Sequence, residues 1–456
     1  MNMTQMHIRN LLQYLWILPC MLLVMACSNE DDPIPDPDPD PRDIPQPPSK
    51  GSVADRTVLI YMGGDSNLGR DGFASSDIQE MEEAIRTMDA SLYCNNNLLV
   101  FYDQFSETLH PQLFRIIKKG ELQSSETDPN KKTLVITTEQ ELIMEYPTEV
   151  TSTEPSIIKE VMQRAFGDYP AKSYGFVYWS HGDGWLPGKY EKMALRSVSP
   201  IKWIGADWNN SSANSSNSFK TGIPELAEVL KDAPKKLDFL MFDACFMLSV
   251  EVAYELKDCA DFIISSPTET PGPGAPYTEV VPMMFASSQA AAKIGEEYYN
   301  YYADKYDPDV TNSNANWTGG VSITVMNASK LDNLADVTKA SLSSAASDVS
   351  SLRNQVFDYD KRSNSHVGYY DMEELMQKLL TPTKFDEWET AYKNVLTFWN
   401  TTPKNYSSFA KMFSMEGANG VSHYIPSALG KSATNRDAEY RSTAWYNDAG
   451  LSKLGW

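Results

Sequence analysis

Histidine is scarce in this chain of 456 residues, with five in all, and cysteine is equally scarce at five. The two types nowhere show the close spacing of zinc ligands, which excludes a zinc site from the reading. Basic residues are also in short supply, 39 against 61 acidic ones, for a formal charge of −22. Such a surface repels phosphate backbones, so nucleic acid is not an expected partner, whereas basic substrates are attracted; the same acidity also serves plain solubility. No repeat period is visible, which excludes solenoids and propellers. The remaining composition, 42% hydrophobic and 22% charged, is that of a folded protein long enough for one large domain with additions or for two domains.

One long apolar run is present. Arg9 precedes residues 11–25, which end in Val24-Met25-Ala26-Cys27. The run is short for a membrane span of about 20 residues and has the form of a secretory signal. A small residue directly before Cys27 resembles a bacterial lipobox, in which the cysteine is acylated and becomes the first residue. The stretch Ser28-Asn29-Glu30-Asp31-Asp32 is similar to the surface-export signal of lipoproteins in the Bacteroides group. The expected location is therefore the outer membrane, on a lipid at Cys27, facing outward. A Pro/Asp alternation continues to Pro48, and residues 27–52 read as an extended stalk of about 3.1 Å per residue. With Cys20 removed and Cys27 lipidated, Cys94, Cys245 and Cys259 remain. That is no disulfide framework, and an odd cysteine is either a reactive thiol or a small buried hydrophobe.

From residue 53 onward, β-branched apolar runs alternate with amphipathic stretches. Strands are predicted at 57–61, 98–102, 174–179, 237–242 and 262–265, and helices at 77–88, 157–165, 223–231 and 248–257. This alternation argues for a mostly parallel sheet with helices on both faces, ending soon after residue 265. Residues 185–219 are polar and lack a period, so they read as a loop. Beyond 280, helical patterns at 290–302 and 331–352 suggest a C-terminal subdomain. The expected division is a signal peptide at 1–26, a stalk at 27–52, a catalytic domain at 53–280 and a subdomain at 281–456.

In such folds the functional groups sit beyond the carboxyl ends of the strands. Two predicted strands end in reactive side chains: Tyr178-Trp179-Ser180-His181-Gly182-Asp183-Gly184-Trp185 and Asp243-Ala244-Cys245-Phe246-Met247. A thiol attacks carbonyls as a thiolate and needs a base nearby, and His181 alone among the five histidines has the strand-end glycine setting. Gly182 and Gly184 allow a substrate carbonyl to come close to backbone N–H groups. Cys245 would gain further from a helix opening at its position. Taken singly, a strand-end cysteine is more often core and a His-Gly pair more often structural; their joint occurrence is what carries the reading.

These two motifs, together with Leu59-Ile60-Tyr61-Met62 and Asp65, resemble the clostripain-like cysteine peptidases of the caspase-like clan, over residues 53–426. The resemblance implies a caspase-like α/β/α sandwich and cysteine endopeptidase activity on peptides or proteins. It implies Cys245 as nucleophile, His181 as its partner and the Gly182 and Cys245 N–H groups as oxyanion donors. Asp243, two residues before the cysteine, would line the pocket for the P1 side chain and favour Arg or Lys; its other reading is a helix N-cap. Relatives specific for basic residues often carry a second acid in the next strand-end loop. Here that slot holds Pro273, with Glu269 as a substitute. Cleavage between His181 and Cys245 activates several relatives, and Lys189, Lys192, Arg196 and Lys202 offer sites for it.

No cofactor is expected. Calcium, which some relatives require, stays open through Asp65, Asp103 and Asp207, whose alternative roles are caps and turns. The protein is expected to be a monomer. The rival reading is a non-catalytic surface lipoprotein binding glycan or protein, with Tyr298, Tyr299, Tyr301, Tyr302, Trp388 and Trp399 as an aromatic platform; aromatics at helical spacing are more often core.

Overall fold

The computed structural model describes residues 40, 44–124, 132–185, 203–314, 316–343, 348–360, 368–408 and 410–456. The signal, Cys27 and most of the stalk lie outside the described residues, as do Lys189, Lys192, Arg196 and Lys202. Among the described residues no helix is long and apolar enough to cross a membrane.

In chain order the strands begin with β1 (Ala54–Gly64), β2 (Asn96–Gln104), β3 (Gln112–Ser124), β4 (Lys132–Glu145), β5 (Ala171–Trp179), β6 (Trp203–Asp207) and β7 (Phe219–Gly222). They continue with β8 (Leu237–Asp243), β9 (Ala260–Ser265), β10 (Ser322–Asn327), β11 (Tyr370–Asp371), β12 (Leu396–Thr401), β13 (Lys404–Ser407), β14 (Lys411–Ser414) and β15 (Ser422–His423). Nine of these form the central sheet, in the order β12-β10-β9-β8-β5-β1-β2-β3-β4. Its middle, β9-β8-β5-β1-β2, is parallel, and the pairs outside it are antiparallel. The sheet thus continues past residue 265, because β10 and β12 join it from the C-terminal part of the chain.

Alternation decides which face each side chain enters. Leu59 and Tyr61 of β1, Phe176 and Tyr178 of β5, and Leu240 and Phe242 of β8 enter one core. Val58, Ile60, Met62, Val177, Trp179, Phe239 and Met241 enter the other. Both faces are covered by helices, giving the expected three layers. The first core packs against Pro155–Asp168, Ile223–Leu230 and Val250–Glu255; the second packs against α2 (Phe73–Thr87), Tyr277–Met284 and Ala290–Ala303. A four-residue helix, α1 (Asn67–Arg70), precedes α2 and is capped by Ser66, whose hydroxyl accepts from the Leu68 N–H. Each core also draws residues from both sides of position 280, so the expected boundary there divides neither of them.

The end of the expected stalk belongs to the folded body. Ile44 is buried, Gln46 donates to the Lys118 carbonyl, and the Pro48 carbonyl accepts from Arg115. The aromatic platform is not exposed: Tyr298, Tyr302 and Trp388 are core, and Tyr299, Tyr301 and Trp399 are half-buried against it.

Candidate active site

Strand order reverses at the β1/β5 pair, with β2 on one side and β8 on the other. Such a switch opens a crevice at the carboxyl ends of the strands. His181 follows β5 and Cys245 follows β8, and the two line one cavity of about 90 Å³ with Leu68, Trp179, Asp243, Thr270, Gly272 and Gly274. Two larger clefts, of about 290 and 260 Å³, are lined around Arg56, and neither contains a cysteine or histidine.

Cys245 does not open a helix. Phe246 takes a left-handed φ of 60°, and its N–H donates to the Thr268 carbonyl while that of Leu248 donates to Ser266. The chain thereby turns at Phe246 and stays out of a helix until Ser249 caps the one that begins at Val250. The helix-dipole contribution expected for the thiol is absent, and Asp243 ends β8 rather than capping a helix. The thiol meets Thr270 instead: Sγ lies 3.5 Å from its Oγ1 and accepts its N–H at 3.4 Å. Burial first, and then the charge of Glu269, push the thiol up to about 11 despite the Thr270 bonds.

The His181 ring is held from the segment after β1. Its Nε2 lies 2.9 Å from Asn67 Oδ1, so with the amide oxygen as acceptor Nε2 carries the proton and Nδ1 keeps its lone pair. Burial, aided by the charge of Lys220, lowers His181 to about 4. At neutral pH the resting pair is therefore a neutral thiol and a neutral imidazole. The His181 carbonyl accepts the Gly205 N–H at 2.8 Å, which fastens the strand end to β6.

Gly182 lies against the cysteine loop. A Cβ there would sit 2.9 Å from the Cys245 carbonyl oxygen and 2.9 Å from Met247 Sδ, closer than real Cβ atoms come. Among the described backbone hydrogen bonds outside helices and strands, neither the Gly182 nor the Cys245 N–H is a donor.

Alternation along β8 sends Asp243 to the same face as Phe239 and Met241. Asp243 is buried, with Oδ2 accepting from the Ala275 N–H at 2.8 Å and the Tyr277 hydroxyl at 3.0 Å, and Oδ1 from the Tyr298 hydroxyl at 3.4 Å. Desolvation raises it to about 6, and these three bonds oppose the rise. Gly274 takes a φ of 75°, and a Cβ on it would lie 2.7 Å from Asp243 Oδ2 and 3.1 Å from Asp77 Oδ2. Glycine is thus required where the loop backbone meets the two acids.

Asp77 is a residue that motif reasoning missed. It is buried on α2, accepts from Trp179 Nε1 at 2.6 Å, and is raised by burial, then by Asp243, then by Glu80. The signal was available: Asp77 falls on the apolar stripe of Ala74, Ile78, Met81, Ala84 and Ile85, where an acid is out of place unless it has a function. Glu269 and Pro273 do not line the cavity. Glu269 instead accepts from Ser407 Oγ at 2.6 Å and Ser408 Oγ at 2.7 Å, and so ties its loop to the β13–β14 turn.

Asp65, Asp103 and Asp207, scattered in sequence, come together with a fourth acid, Glu149, each offering one oxygen within 4.8 Å of the others. Cys259 is a buried core residue whose Sγ donates to the Ala227 carbonyl, and Cys94, Cys245 and Cys259 are all free thiols.

A three-layer sandwich whose thiol and imidazole open on one cavity beyond neighbouring parallel strands is the architecture of a caspase-like cysteine endopeptidase. The sequence model of the clostripain family matches residues 60–455, and the chain belongs to that family. Clostripain of Hathewaya histolytica is 22% identical over 459 residues, covering 88% of this chain and 80% of that protein. A secreted C11 cysteine protease from Bacteroides thetaiotaomicron, solved with an irreversible peptide inhibitor, is 37% identical with a TM-score of 0.69, covering 88% of this chain and 100% of the other. An inactive zymogen C11 protease from Parabacteroides distasonis is 26% identical with a TM-score of 0.65, covering 87% of this chain and 99% of the other. The substrates of this enzyme are accordingly peptides or proteins.

Proposed function

We propose that the enzyme cleaves after Arg or Lys through a Cys245/His181 dyad. The observation that supports this best is the single cavity in which Cys245, His181 and the buried carboxylate of Asp243 meet. As Cys245 Sγ attacks the scissile carbonyl, its proton passes to His181 Nδ1, and the oxyanion is held by the Gly182 and Cys245 N–H groups. Each such donor contributes about 3 kcal/mol to the transition state. Collapse breaks the C–N bond, and the amine leaves with the proton from His181. Water, giving its proton to His181, then hydrolyses the thioester and restores the thiol. No cofactor takes part in these steps.

The P1 preference rests on charge. Asp243 and Asp77 are buried together, and a guanidinium or ammonium group entering between them neutralises both, which a neutral side chain does not do. Asp77 thereby takes the part for which the sequence offered Glu269. The apolar run, the small residue before Cys27 and the acidic stretch behind it support a lipid anchor at Cys27 in the outer membrane with outward display.

The test is hydrolysis of fluorogenic peptides differing only at P1, by the purified enzyme beside Cys245→Ala. Cleavage after Arg and Lys that disappears in the variant is expected. Turnover that survives in Cys245→Ala would refute the nucleophile, and a preference for neutral P1 residues would refute the acidic pocket.

A further inference from the structure

A buried thiol needs hydrogen-bond donors or positive charge before it can ionise, and the surroundings of Cys245 supply little of either. It opens no helix, because the backbone turns at Phe246 with a φ of 60°. Burial opposes its ionisation first, and the negative charges of Glu269 and Asp183 oppose it further. His181 is neutral at rest, since burial lowers it to about 4. Among the described residues, the groups that hydrogen-bond Cys245 Sγ both belong to Thr270: its N–H at 3.4 Å and its Oγ1 at 3.5 Å.

These two groups are fixed in advance. Thr270 lies in the loop after β9, and the residues before it are tied down. Ser266 accepts the Leu248 N–H at 3.1 Å, and the Thr268 carbonyl accepts the Phe246 N–H at 2.9 Å. Thr268 Oγ1 donates to the Tyr359 carbonyl at 3.1 Å. Glu269 accepts from Ser407 Oγ at 2.6 Å, and from the N–H and Oγ of Ser408 at 3.1 and 2.7 Å. The loop of Thr270 is thus laced to the loop of Cys245, and a donor already in place costs no reorganisation when charge develops. The hydroxyl adds what an N–H lacks: it accepts from the thiol S–H and, after rotation, donates to the thiolate. It satisfies the sulfur in both states and binds the charged one more strongly, because a hydrogen bond to an ionised acceptor is roughly twice as strong as a neutral one.

We propose that Thr270 is a third member of the catalytic centre, whose N–H and hydroxyl hold the Cys245 thiolate while the proton passes from Sγ to His181 Nδ1. Its separation from Cys245, 25 residues along the chain, keeps it out of any local motif. The catalytic role rests on Cys245 being the nucleophile; the hold on the thiolate does not.

Thr270→Val keeps the side-chain shape and the backbone N–H and removes the hydroxyl, and Thr270→Ser restores it. Alkylation by iodoacetamide in mildly alkaline buffer is followed by mass spectrometry, which separates the Cys245 adduct from that of Cys94, with folding checked by Tm. In Thr270→Val the thiolate fraction should fall about ten-fold, equivalent to one pH unit. Alkylation of Cys245 should slow by about three-fold, since a more basic thiolate is also a better nucleophile. Thr270→Ser should regain the wild-type rate. On peptides, kcat/KM of Thr270→Val should fall by about three-fold or more, and by the same factor with arginine and lysine at P1. Alkylation of the valine variant as fast as in the wild type, or faster, would overturn the hold on the thiolate. A loss of turnover with only one of the two P1 residues would make Thr270 a wall of the pocket and overturn its catalytic role. The expected alkylation pattern in a protein that cleaves no peptide would refute the peptidase reading and leave the hold on the thiolate standing.

Discussion

Replacing Asp243 by asparagine removes one charge from the floor of the cavity and preserves the side-chain shape. With the amide oxygen in the place of Oδ2, the Ala275 N–H and the Tyr277 hydroxyl keep their acceptor, the amide N–H in the place of Oδ1 can donate to the Tyr298 hydroxyl oxygen, and a buried repulsion with Asp77 is relieved, so the variant should fold with a nearly unaltered Tm. Its effect on a P1-arginine substrate should be large. Truncating one partner of a buried charge pair costs roughly 2–5 kcal/mol, and ~3 kcal/mol corresponds to ~100-fold in kcat/KM. A peptide with citrulline at P1, matched in shape but uncharged, should change less than about three-fold. The pH profile supplies a second, independent reading. Asp243 lies at about 6, so on the arginine peptide kcat/KM should fall about ten-fold per pH unit below 6 as the carboxylate takes up its proton. His181, lowered to about 4, and Cys245, raised to about 11, both keep their protonation states across this window. The acids behind the cavity whose charges reach Asp243, Asp77 and Glu80, are raised as well, which is why the variant is decisive. In Asp243→Asn the limb should vanish. A limb near pH 6 that persists in the variant, or that appears equally with citrulline, would refute the assignment.

Asn67→Ala should lower kcat about ten-fold and leave KM nearly constant, since a hydrogen bond of about 1–1.5 kcal/mol that orients the base is lost; a change confined to KM would argue against that role. Gly182→Ala should cost at least ~100-fold in kcat and lower Tm, because its methyl meets the Cys245 carbonyl and Met247 Sδ, each at 2.9 Å, and displaces the loop that carries Cys245, the proposed nucleophile. Wild-type turnover and Tm in that variant would show that the contact between the two loops is not tight.

The class of fold and the two reactive strand ends were legible because they depend on local pattern. Runs such as 57–61 and 239–242, apolar, rich in β-branched and aromatic residues and too short for a helix, read as strands buried on both faces, and a histidine and a cysteine directly after such runs fall at the carboxyl edge of the sheet wherever the strands are placed. Tertiary structure decided the rest. Whether a helix opens at Cys245 depended on backbone bonds from residues 246 and 248 to 268 and 266, far along the chain. Whether the sheet ends at β9 depended on β10 and β12, one of them 131 residues beyond Ser265 at its start, Leu396. Asp77 acquires meaning only when α2 brings it to Trp179 at the end of β5 and close to the charge of Asp243, and Asp65, Asp103, Glu149 and Asp207 gather only when four separate segments meet. The sequence by itself determined the nature of the protein, through periodicity and residue type acting over a few positions. The depth of its acidic pocket, the partner of its histidine and the gathering of four acids were settled by long-range packing, which no local pattern encodes.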